Sequence, residues 1–398
     1  MSVLFSPFKL RDLKIGNRFI HSATYESMSL VTGEVTDPII KRYRRLAKGD
    51  IGLIIPGYMY VHLYGKGAMN QMGIHTDAMI PGLKALVETI HEEGSKVAFQ
   101  LHHAGRQTRK EVIGRHPKGP SSEGRDTMFL IKPGVMTEME IIEVIESFGK
   151  AAERTVKAGA DGVQIHAAHG YVINQFLSPF FNRRNDEWGG SDEKRFRFLK
   201  EVILAIRKNI PEEMPLLIKL NTNDFTPKAG ITPELAVKYT EWLADLEIDL
   251  IEVSCGSMFY SGFNTMRGDV PVKTILNIYP WWMKPLAKLA LKSMSGKFDL
   301  EEGYNLDAAK MIRDKSGKIA ISVVGGFRKL KHMEEVVEEG YSDFISMSRP
   351  FIREPYIVKK FKEGKKEEVD CRSCNECLGN VINNRPLRCY SNGVSEEE

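Results

Sequence analysis

Eight short apolar runs recur along the chain, each closing on or running into a polar residue or a glycine, at residues 18–24, 51–56, 96–101, 162–166, 216–220, 250–254, 319–324 and 343–348. They are near-continuously apolar rather than alternating, the pattern of strands covered on both faces of a parallel sheet. Between them lie stretches with apolar residues at helical spacing, at 81–93, 138–158, 193–208, 233–246, 306–314 and 330–339. Strand then helix, repeated, predicts an α/β fold, a (β/α)8 TIM barrel with its chemistry at the C-terminal ends of the strands.

Two connections break the rhythm. Residues 256–297 are too many for an ordinary strand-to-helix turn and carry Tyr260, Pro280, Trp281 and Trp282. Residues 106–133, with Pro117, Pro120, Pro133, Gly119 and Gly124, read as an irregular or hairpin excursion over the same end. A charged run at 359–368 precedes a short cysteine-bearing stretch, which divides the chain into a barrel (1–365) and a C-terminal appendage (366–398).

With 42% hydrophobic and 27% charged residues the chain is ordinary globular material. Its 56 Lys and Arg against 52 Asp and Glu are too even for a protein that neutralises a phosphate backbone, so nucleic acid is not an expected partner. The charged N-terminus lacks the apolar centre of a signal peptide, and no run reaches the ~18 apolar residues of a membrane span. A cytoplasmic enzyme on a small molecule, without membrane and assembled as a homo-oligomer, is the expectation. Four of the five cysteines fall between Cys371 and Cys389, a cluster that suits ligands or redox thiols better than a disulfide framework.

The strand ends carry the candidate chemistry. The last two read VVGGF (323–327) and SMSRP (346–350), where barrels commonly bind phosphate: Gly325 and Gly326 let backbone N–H groups approach an anion, and Ser348 and Arg349 add polar contacts. The fourth runs into His166, His169 and Tyr171 within six residues. Two imidazoles could share a zinc ion with His102 or His103, but the neighbouring phenol suits a different chemistry, in which the imidazoles hold an anionic oxygen while Tyr171 delivers a proton.

The same residues resemble the Old Yellow Enzyme family, the NADH:flavin oxidoreductases. The likeness rests on H-x-x-H-G-Y-x-x-x-Q-F-L-S-P from His166 with its trailing N-x-R-x-D-x-x-G-G, on Pro7, Asn17-Arg18, Gln100 and His103 to Arg106. It extends to Gly119 to Ser122, Gly230 to Glu234 and Arg349-Pro350. It implies bound FMN, reduced by NADH or NADPH, and reduction of the C=C bond of α,β-unsaturated carbonyl compounds by a ping-pong mechanism. By the resemblance His166 and His169 bind the substrate carbonyl and Tyr171 donates the proton. Gln100, Lys219, Gly57 and the backbone of Ser22, Ala23 and Thr24 line the flavin, and Gly325, Gly326, Ser348 and Arg349 take its phosphate. Lys219 stands where an arginine is usual, keeping the charge but losing the planar fork. Tyr25 stands where a threonine or cysteine commonly tunes the flavin, and Tyr58, Met59, Met258, Phe259 and Tyr260 would shape the substrate pocket.

The spacing Cys371-x2-Cys374-x2-Cys377-x11-Cys389 is closer to iron–sulfur than to zinc-ribbon patterns. It is similar to the cluster run of the dienoyl-CoA reductase and trimethylamine dehydrogenase branch, which implies a [4Fe-4S] cluster; structural zinc and unmetallated thiols stay open. No G-x-G-x-x-G opens a helix, so the nicotinamide is expected to bind over the flavin itself. The rival readings are an amine dehydrogenase or demethylase on the same FMN barrel, and a non-catalytic flavin redox subunit.

Overall fold

The computed structural model of the chain describes residues 2–122, 124–125 and 131–391. Each of the eight apolar runs holds a barrel strand: β1 (Phe19–His21), β2 (Leu53–Ile54), β3 (Lys96–His102), β4 (Gly162–Ala167), β5 (Leu216–Asn221), β6 (Leu250–Ser254), β7 (Ala320–Val324) and β8 (Phe344–Met347). Neighbours pair in parallel and in chain order, and β8 returns to β1 with Ile345 opposite Phe19, so the sheet closes on itself. The expected TIM barrel is present.

Side chains alternate along each strand, and the two sets do different work. The outward set, including Phe99, Ile165, Ile218, Ile251 and Ile321, joins one large core with the surrounding helices. The inward set begins apolar: Ile20, Leu53, Ala98, Leu217, Leu250, Ala320 and Phe344 form a floor. Leu10 and Ile15 close it from below, on an antiparallel pair of short strands, Phe8–Leu10 and Leu13–Ile15. Two residues further up, the inward positions become Ser22, Gln100, Gln164, Lys219, Glu252, Ser322 and Ser346, all buried. Such barrels ordinarily fill their inner layers with branched apolar residues. A polar layer marks the base of a site.

All six expected helices form, with ends shifted by two residues at most: Ile80–Glu92, Glu138–Lys157, Asp192–Arg207, Pro233–Ala244, Leu306–Arg313 and Leu330–Glu338. Local signals set their starts, as where the Thr137 side chain and Glu140 form a reciprocal capping box. A further helix, Asp37–Ala47, buries Ile39, Tyr43, Leu46 and Ala47 after β1.

The long connection after β6 is helical, with helices at Met258–Thr265, Val272–Ile275 and Lys284–Met294. Among the described residues the excursion at 106–133 is irregular and forms no hairpin: Lys118–Gly119 pairs in parallel with Gly134–Val135, and residues 123 and 126–130 of it lie outside the described residues. After β8 the chain forms helices Arg349–Arg353 and Ile357–Lys362, then the cysteine stretch with helix Glu376–Ile382. That stretch packs Val381 and Leu387 on Ile352, with Tyr25 and Met28 of the barrel against them. Residues 392–398 of the expected appendage lie outside the described residues. Among the described residues no helix is long and apolar enough to cross a membrane.

Candidate active site

Above the polar layer lies a cavity of about 260 Å³. Beyond the end of β4 the chain turns through His169 (φ +62°) and Gly170 (φ +77°), both left-handed. A Cβ on Gly170 would stand 2.4 Å from Ser257 Oγ, so a larger residue is excluded there. His169 is held in its unusual conformation through its backbone: its N–H donates to Asn221 Oδ1 (3.4 Å), and its carbonyl accepts from Gln107 Nε2 (2.7 Å) and the Met258 N–H (3.1 Å). The turn brings His169 and Tyr171 to the cavity wall.

His169 Nε2 lies 2.8 Å from Ser254 Oγ, and the Tyr171 hydroxyl lies 3.1 Å from that of Tyr58. The Tyr171 ring meets the ring edges of His102 and His166, with centroids 4.3 and 4.9 Å away. Burial, helped by the nearby Lys219 charge, pushes the His169 imidazole down to about 3, and burial alone does the same to His102. His166 is held well below its ordinary value by burial and then by His169. Burial raises the Tyr171 phenol to about 12. At neutral pH these rings are uncharged and Tyr171 keeps its proton, the states needed for a hydrogen-bond donor and an acid.

In the polar layer, Lys219 Nζ donates to Ser22 Oγ (2.8 Å) and stands 3.3 Å from Glu252 Oε2. Glu252 also accepts from Ser22 Oγ (2.6 Å) and from Gln164 Nε2 (2.9 Å), and Gln164 in turn accepts from Gln100 Nε2 (2.6 Å). The chain of bonds ends at Gln100 Oε1, a buried acceptor without a partner among the described residues. Buried acceptors are rarely left so, and this one suits a donor from a bound molecule.

The opposite end of the cavity is bordered by Gly326, Arg328, Ser348 and Arg349. Gly326 has φ +74°, and a Cβ there would lie 2.7 Å from Leu300 Cδ1. Both arginines are tied to the cysteine stretch. Arg328 donates to the Cys371 carbonyl (3.0 Å) and Ser373 Oγ (2.5 Å), while Arg349 donates to Asn375 Oδ1 (2.6 Å) and the Arg267 carbonyl (2.7 Å). An orphaned amide oxygen in the polar layer and two guanidinium groups at the far end fit a polar ring carrying an anionic tail.

Of the residues expected from sequence, Ser22, Ala23, Thr24, Tyr25, His169, Tyr171, Lys219, Gly326, Ser348 and Arg349 border this one cavity. His166 and Gln100 are buried and do not border it. Gly57 also stands off: its N–H is taken by Glu26 Oε1 (2.7 Å) and the Tyr43 hydroxyl (2.9 Å), and the Glu26 carboxylate fills the space a side chain would need. Gly325 is engaged in a turn, its carbonyl accepting from the Gly303 N–H at 2.6 Å. Cys371, Cys374, Cys377 and Cys389 all line a second, smaller cavity beside Arg349 and Arg353. Among the described residues no three His, Cys, Asp or Glu side chains are grouped closely enough to hold a single metal ion.

Sequence reasoning missed Glu252, a lone acid inside the apolar run LIEVS, and Arg328, which directly follows the VVGGF it singled out. It also missed Leu378, Val381 and Ile382, through which the helix that carries Cys377 reaches the cavity. Nothing in a seven-residue helix announces which face of a distant barrel it will meet. Met258 borders the cavity as expected, whereas the side chain of Phe259 lies outside what is described.

A model of the NADH:flavin oxidoreductase / NADH oxidase family matches residues 3–288. The chain is 32% identical over 401 residues to the NADH oxidase of Thermoanaerobacter brockii, covering 99% of this chain and 56% of that protein. It is 31% identical over 367 residues to the NADPH dehydrogenase of Clostridium acetobutylicum, covering 92% of this chain and 96% of that one. Among solved structures, a complex of 2-naphthoyl-CoA reductase with 2-naphthoyl-CoA matches with a TM-score of 0.84 at 28% identity, over 97% of this chain and 56% of that one. The chain thus spans little more than half the length of the NADH oxidase and of the naphthoyl-CoA reductase.

Proposed function

Because the chain belongs to the NADH:flavin oxidoreductase / NADH oxidase family, we propose that it is an FMN-dependent oxidoreductase that takes hydride from NAD(P)H and reduces the C=C bond of an α,β-unsaturated carbonyl compound. Bound FMN supplies a hydride acceptor and donor on one planar ring, so reductant and oxidant use one cavity in turn. The observation that carries the reading is a single cavity bordered by a neutral imidazole and a protonated phenol on one side, a buried lysine below, and two arginines at the far end.

Ser22, Ala23, Thr24 and Lys219 border the space for the ring, with the free oxygen of the buried Gln100 in the layer beneath, and Gly326, Arg328, Ser348 and Arg349 border the space for the phosphate. His169 on the wall, with His166 against it at 5.1 Å between ring centroids, takes the substrate's carbonyl oxygen. Donors aimed at an oxygen where charge develops are worth roughly 3 kcal/mol each in the transition state. Tyr171 protonates the α carbon, and Tyr58, one hydrogen bond away, is placed to pass it a replacement proton. Tyr25 limits what enters. The four cysteines around one small cavity support an iron–sulfur cluster in the C-terminal stretch, a reading that iron and sulfide content tests directly.

Replacing Tyr171 by Phe separates the two halves of the reaction. Single-turnover reduction of the flavin by NAD(P)H should be nearly unchanged, while subsequent alkene reduction slows by roughly 10²- to 10⁴-fold, the usual contribution of a positioned acid. Equal loss in both halves would remove Tyr171 from the proposed role.

A further inference from the structure

The connection after β6 leaves an unusual surface on its helical part. Trp281 and Trp282 are 82% and 65% exposed, and Leu286 and Leu289 on the helix Lys284–Met294 are 72% and 68% exposed. Large aromatic and aliphatic side chains are seldom left so bare together without a partner surface. The helix stands on a small cluster of its own, Leu291 packing with Val270 and Ile275. At 100° per residue, Lys284, Lys288 and Lys292 form a stripe on one flank, while Leu286 and Leu289 point away from Leu291. Between Val270 and Phe298 there are five lysines, at 273, 284, 288, 292 and 297, and no acidic residue. None of the five makes an ion pair among the described residues.

We propose that this face, Trp281, Trp282, Leu286 and Leu289 flanked by Lys284, Lys288 and Lys292, docks the protein on an anionic lipid bilayer. A short helix with an apolar outer face, a lysine flank and tryptophans at its start has the composition of helices that lie in the headgroup region. There apolar side chains enter the acyl boundary and lysines meet lipid phosphates. The charge distinguishes this occupant from a second copy of the chain. A two-fold interface sets the same patch against itself, which would bring two unneutralised lysine stripes together. The absence of a spanning segment has no bearing on a helix that rests on the surface. Thr265 and Met266 of the same connection border the cavity, so the docking face and the site share one segment of chain.

The test uses the full chain and vesicles of phosphatidylcholine, alone or in equimolar mixture with phosphatidylglycerol. The protein should sediment with the mixed vesicles and not with the neutral ones, release as salt is raised, and show a blue shift of tryptophan emission on binding. Replacing Trp281, Trp282, Leu286 and Leu289 together by Ser should lower binding at least tenfold and abolish the blue shift, with an unchanged melting temperature. Replacing Lys284, Lys288 and Lys292 by Gln should remove the preference for anionic lipid. Failure to bind the mixed vesicles, or equal binding by the serine variant, would overturn the proposal. So would a dimer in solution that the serine variant dissociates.

Discussion

Lys219 and Glu252 are the residues on which the site's electrostatics turn. They sit 3.3 Å apart, almost fully buried, with Ser22 and Gln164 satisfying the remaining carboxylate positions. Removing one partner of such a pair leaves an uncompensated buried charge, at a cost of about 3–5 kcal/mol. Lys219→Met should therefore destabilise the protein by about that amount in urea denaturation, and adding Glu252→Gln should recover much of the loss. A double variant as unstable as the sum of the two single changes would show that the pair is not coupled. Lys219 is legible in the sequence because it lies near the end of a strand and stands at a familiar place in a familiar motif. Glu252 is not, since an acid in the middle of an apolar run discloses its partner only when the barrel closes and brings β5 beside β6.

At the scale of elements, the strands are readable because both faces are buried, and the six helices because their apolar stripes and caps are local. What escapes is non-local. The cysteine stretch gains its place by packing on Ile352 and on Tyr25 and through the bonds of Arg328 and Arg349, whereas helix Asp37–Ala47, with five charged residues among eleven, carries a local stripe of four buried ones. The loop after β7 shows what a single local signal can carry. Gly326 suits anion binding, and its left-handed φ with Leu300, Glu301 and Tyr304 pressed around it gives a second reason for glycine. Gly326→Ala should strain the loop by roughly 1–3 kcal/mol and weaken FMN binding by about tenfold or more, read as flavin fluorescence on titration. An alanine variant with unaltered FMN affinity would place the phosphate elsewhere.

In the whole molecule, a closed barrel with a polar inner layer carries a cavity walled by neutral rings, and the arginines that face this cavity also bind the cysteine stretch. That last connection is invisible in the sequence, where Arg328 and Cys371 lie 43 positions apart. It gives the stretch a physical link to the cavity whatever the four cysteines hold. The proposed chemistry depends on one cofactor in one place. The most direct measurement is the absorption spectrum of the purified chain reconstituted with FMN, recorded anaerobically before and after addition of NADH or NADPH. The expected result is a bound flavin spectrum that either nicotinamide bleaches and that an unsaturated ketone or aldehyde then restores. A protein that fails to retain FMN, or whose bound flavin neither nicotinamide can reduce, would contradict the proposed function.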